Sequence, residues 1–122
     1  MTDQLIEHLK TVEKEIEAEK GQFSLFVLFS RPDSVALDLV VAAPWLQTEK
    51  RPGLALISKL VYSSSFPRAE WGQIARIVAL NDSDINFRII KDAIGPTNTL
   101  RVIDHPSIPG FDIDKVYVLS ST

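Results

Sequence analysis

The chain has 122 residues, of which 45% are hydrophobic and 24% charged, with a net charge of −3 and no cysteine. That length supports a single compact domain, residues 1–122, and that composition excludes a disordered chain and a collagen-like repeat. The missing cysteines exclude a disulfide scaffold and a thiolate zinc site, and they point to a cytoplasmic address.

The charge is unevenly spread. In residues 1–20 six acids (Asp3, Glu7, Glu13, Glu15, Glu17, Glu19) face three lysines (Lys10, Lys14, Lys20), whereas residues 21–122 balance ten acids against ten bases. No basic run is present to neutralise phosphates, which argues against a nucleic-acid partner. The opening MTDQLIEHLK lacks the basic end and apolar stretch of a secretory signal. Uncharged stretches such as 21–30 and 39–48 are about half the roughly 20 residues that a membrane helix needs, so no membrane partner is expected.

In chain order, residues 3–20 place Leu5, Leu9, Val12 and Ile16 at alternating spacings of four and three. This is one apolar stripe on an acidic amphipathic helix, with Thr2 or Asp3 to cap it and Gly21 to end it. Residues 22–29 form a strand apolar on both faces, which implies a cover on both sides. Arg31, Pro32, Asp33 and Ser34 have turn chemistry, and 35–43 return as the second strand of a hairpin. Pro44 stops that strand, 45–51 connect, and Pro52 opens a helix to about Tyr62 with Leu56, Ile57, Leu60 and Val61 on its buried side. Residues 63–65 link, 67–71 make one further helical turn, and 74–80 form a third strand. A helix over 84–94, capped by the Asn81, Asp82, Ser83 turn and ended by Gly95, presents Ile85, Ile89, Ile90 and Ala93. Residues 99–103 and 115–119 are the last strands.

The expected fold is therefore α/β, with α+β as the variant, in the order α-β-β-α-β-α-β-β. It has a mixed sheet of about five strands and three main helices. If the second, third and fourth strands share one sheet, the two crossovers make them parallel, with the first and last strands joining antiparallel at the sides.

Candidate chemistry is sparse. His8 and His105 are the only histidines, and no phosphate-binding glycine loop or nucleophile elbow is present, so no catalytic residue and no cofactor is assigned. Asp82-Ser83-Asp84, directly after an apolar strand, resembles the Asp-x-Asp of metal-dependent transfer sites, making Asp82 and Asp84 the metal candidates. The competing reading is a helix cap with a charge that complements the helix dipole. Pro32-Asp33 followed by Asp38 resembles a metal-dependent nuclease pattern, but Val40 stands where that pattern needs a lysine.

Ligands of open α/β sheets gather beyond the carboxyl ends of parallel strands. Those ends would bring together Trp45, Asp82, Ser83 and His105 as a ligand site, with Trp45 as a stacking wall and His105 as a titratable group. Separately, Asp38, Arg76 and Arg101 are charges in the middle of strands, where a bare charge is too costly. They imply an ion pair of Asp38 with Arg76 or Arg101, or a polar patch or anion pocket. The leading functional expectation is a small interaction or regulatory module without catalytic activity that self-associates or binds a protein partner. The alternative is a metabolite-binding or metal-dependent hydrolase or transferase domain using Trp45, Asp82, Asp84 and His105.

Overall fold

The computed structural model describes residues 2–32, 36–62, 74–97, 99–110 and 112–122. These form α1 (Thr2–Lys20), β1 (Leu25–Ser30), β2 (Leu37–Ala42), α2 (Pro44–Thr48), α3 (Lys50–Val61), β3 (Ile74–Ala79), α4 (Ile85–Ile94), β4 (Arg101–Asp104) and β5 (Lys115–Ser121). One mixed sheet of five strands results, in the order β3-β2-β1-β5-β4. The expected α/β class is what the chain adopts. The tip of the expected hairpin turn (Asp33, Ser34) and the helical turn over 67–71 lie outside the described residues.

Local chemistry explains the element ends. Gly21 sits at φ +116, a conformation that side chains oppose, and its N–H closes α1 on Glu17 O at 3.1 Å. Gly95 ends α4 at φ +70, and Asp84 caps its start by accepting the Asn86 N–H at 2.9 Å. The cap is thus Asp84 itself, one residue beyond the turn that the sequence suggested. α2 and the start of α3 replace the expected connection over 45–51. Pro52 is accommodated because the first turn of a helix leaves its N–H groups without intrahelical partners.

The two faces of the sheet carry separate cores. On one, α1 lays Leu5, Leu9, Val12 and Ile16, and α3 lays Ile57 and Val61, over Phe26, Leu28, Leu39 and Val41. On the other, Ile90 and Ile94 of α4, with Ile108 and Ile113 from the loop before β5, cover Leu25, Val27, Phe29, Val40, Val116 and Val118. The two-sided apolar character of β1 follows from its central place between β2 and β5. Each fully buried side chain of this size contributes about 1.5–3 kcal/mol of transfer free energy. Lys91 pins α4 to the sheet end by donating to Ser24 O (3.3 Å), Ser121 Oγ (3.1 Å) and Thr122 O, and burial lowers its pKa.

Strand direction departs from expectation. β2 and β3 are parallel across α3, but β4 lies at the far edge, antiparallel to β5. Only one parallel crossover exists among the described strands, so the expectation of three parallel strands is corrected. β5 occupies the place beside β1 and leaves β4 to pair with its outer side.

The buried face of α1 is also wider than its stripe, because Ile6 and Glu13 join it at 4% and 8% exposure. Glu13 accepts a hydrogen bond from the Ser120 hydroxyl, and burial raises its pKa above the usual glutamate value. The folded state therefore holds this proton more tightly than the unfolded chain does. Stability from Glu13 is present in full below the ordinary glutamate pKa and is lost as pH rises through the elevated one. Glu13→Gln is accordingly expected to raise stability at pH 7 and to flatten the pH dependence in urea unfolding; an unchanged profile would contradict it.

Candidate functional site

The mid-strand charges converge at one place. Asp38, the second residue of β2, has its side chain 6% exposed and takes Arg76 Nη2 on Oδ2 at 3.3 Å, with Arg76 Nε 3.3 Å from Oδ1. Arg31, just past β1, reaches the same Oδ1 through Nη2 at 3.4 Å. One buried carboxylate thus orients two guanidinium groups that keep 43% and 64% of their own surfaces in solvent.

Backbone register produces this convergence. Phe29 lies opposite Asp38, so Arg31, two residues further along β1, is the diagonal neighbour of Asp38 on the same face. On the other side a register shift separates Leu37↔Ile74 from Asp38↔Arg76, which leaves Ala75 as an extra residue. That bulge turns Ile74 into the α3-side core and Arg76 onto the face of Asp38. A strictly alternating strand would have put Ile74 and Arg76 on one side.

The ion cluster closes one end of a cleft of about 410 Å³ on the α4 side of the sheet. Phe29, Val40 and Val78 make its floor. Leu80 and Ile90, with Asn86 from the first turn of α4, form one wall, and Gly110, Asp112 and Ile113 of the loop before β5 form the other. The volume falls within the range of small-molecule sites, and a largely apolar lining with a few fixed polar groups is their usual chemistry.

The other site candidates are dispersed. Trp45 lies on the α1 and α3 side, its ring edge-on to Phe23 at 5.6 Å and its Nε1–H donating to Gly21 O at 3.2 Å. Asp82 and Ser83 are exposed in the turn before α4, and Asp84 spends its carboxylate on the helix cap. His105 follows β4 at φ +49, exposed, with Nδ1 3.3 Å from Asp114 Oδ1. Because β4 runs opposite to β2 and β3, His105 sits at the end of the sheet away from Trp45 and Asp82. Arg101 donates to Ile94 O at 2.8 Å on the far edge strand and takes no part in the Asp38 cluster. Among the described residues no group of three or more His, Asp or Glu converges in a way that could hold a metal ion. No helix among them is long and apolar enough to cross a membrane.

The sequence offered Arg76 or Arg101 as the partner of Asp38; Arg76 is the one that pairs, Arg101 does not, and Arg31, read as a turn residue, was missed. The signal was available in part: a hairpin register that places Phe29 against Asp38 also places Arg31 beside it. The loop wall carrying Asp112 and Ile113 had no local signature. The described residues thus define a mixed α/β domain with a cleft of mixed polar and apolar lining beside the Asp38 ion cluster. Comparison with protein-family models, with characterised proteins and with solved structures finds no match to this chain.

Proposed function

We propose that this domain is a binding module without catalytic activity, and that its ligand is a small molecule held in the cleft beside Asp38, Arg31 and Arg76. The observation that carries the reading is the buried Asp38 carboxylate holding two half-exposed guanidiniums at the end of an apolar floor. Ion pairs that serve stability alone gain little over apolar packing, and here the arginines keep their surfaces toward the opening rather than burying them. Amide chemical shifts recorded against a mixed set of small carboxylates, phosphates, amines and neutral aromatics provide the test. Perturbations centred on Phe29, Val40, Val78 and Ile113 are expected; shifts confined to another surface, or none, would overturn the reading.

Self-association is a second reading, favoured by one observation at the opposite edge. Leu100 and Val102 keep 39% and 47% of their surfaces exposed beside the edge strand β4. The His105 N–H donates to Asp114 O, so in this ladder the backbone groups of Val102 and Asp104 point away from β5. A second copy pairing antiparallel there would cover both. Sedimentation equilibrium is expected to show a dimer whose dissociation constant rises at least about tenfold in Val102→Lys. A monomer at high concentration would dismiss this interface without touching the cleft.

A further inference from the structure

The cleft also carries information about the class of its ligand, an inference that rests on the binding reading above. Its two ends differ in chemistry. At one, Arg31 and Arg76 bring two positive charges against the single negative charge of Asp38, a local surplus of one. Along the other, Phe29, Val40, Val78, Leu80 and Ile90 offer hydrocarbon and an aromatic ring.

We propose that the cleft takes a small monoanionic carboxylate with a flat or aliphatic apolar body, its carboxylate on Arg31 and its body over Phe29, Val40 and Val78. Charge count separates this ligand from a phosphate monoester. One negative charge cancels the surplus at the cluster, whereas a dianion overshoots it; Asp112, the exposed acid on the loop wall, opposes any anion and opposes a dianion about twice as strongly. Donor geometry separates the two arginines. Arg76 donates through Nη2 to Oδ2 and holds Nε 3.3 Å from Oδ1, so that this edge of its guanidinium is turned to Asp38. Asp38 engages Arg31 through Nη2, which leaves the rest of that planar fork, 43% exposed, to face a second carboxylate. Asp38 is then a positioning residue that holds both guanidiniums in place. A neutral ligand of the same shape would gain the apolar contacts but would leave the surplus charge uncancelled.

The test uses the intact chain and four probes: benzoate, its neutral analogue benzamide, acetate and inorganic phosphate, each titrated against amide chemical shifts. Benzoate is expected to perturb Phe29, Val40 and Val78 and to bind about tenfold more tightly than benzamide, with acetate and phosphate weaker still. Arg31→Gln, which leaves Arg76 to pair with Asp38, should remove that preference while leaving benzamide affinity unchanged. Asp112→Asn, at an exposed position that cannot endanger the core, should tighten benzoate and leave benzamide alone. Benzamide binding as tightly as benzoate would overturn the ligand class but leave the cleft a binding site. Phosphate binding best, in an Arg31-dependent way, would overturn the monoanion in favour of a phosphate ligand. If neither aromatic probe perturbs the cleft floor, the class falls, and the broader mixed-set titration decides whether the binding reading falls with it.

Discussion

Alanine at both Arg31 and Arg76 is expected to lower the unfolding free energy by about 3–5 kcal/mol, more than the sum of the two single changes. Each arginine is substantially exposed, so removing one leaves Asp38 with the other and costs about 1 kcal/mol, the scale of a partly exposed pair. Removing both leaves a carboxylate at 6% exposure with neither of these cationic partners. Asp38→Asn added to the double variant should recover most of the loss, because the group left behind is then neutral. Urea unfolding of the set measures this directly. Small, additive losses would mean that Asp38 reaches water through the cleft and does not depend on the arginines for its stability. The same outcome would weaken the reading of Asp38 as the group that orients them.

Phe26→Ala is expected to cost about 3–5 kcal/mol, the range for removing a fully buried ring. Phe26 lies on the central strand at 0% exposure and meets Phe23 edge-on with ring centroids 4.9 Å apart. Phe23 in turn meets Trp45, and its N–H donates to Glu17 Oε2 at 2.9 Å. Phe26 therefore packs the sheet against Phe23, whose own contacts reach the end of α1 and the α2 segment. Its loss should lower the urea midpoint while far-UV dichroism and tryptophan fluorescence continue to report one transition. A loss below about 1 kcal/mol, or α1 melting separately from the sheet, would show that the α1-side core is not a single cooperative unit.

What could be read from the residues alone was whatever repeats within a few positions. The stripe of Leu5, Leu9, Val12 and Ile16, the doubly apolar run of β1, and the glycines at 21 and 95 are decided by the periods of helix and strand and by steric freedom at φ > 0. Those signals are sufficient for the order of the three main helices and five strands and for the α/β class, but not for α2, which stands where a connection was expected. They hold no information about which strands become neighbours. Whether β4 joins β3 or β5 depends on pairings between distant segments, so His105 could not be placed relative to Trp45 and Asp82 before the sheet was assembled.

The ion cluster was half legible for the same reason. A charge among Ala36, Val40 and Ala42 demands a partner, and this demand is written in the sequence around Asp38. Which arginine answers it is settled by the hairpin register that lays Arg31 diagonally across and by the single extra residue, Ala75, that rotates Arg76 onto the shared face. Local patterning by itself determined the helices, the strands and the need for a counter-charge. Tertiary structure decided the strand order, the bulge and the loop that walls the cleft, because each depends on contacts between residues far apart in the chain, which no local period encodes.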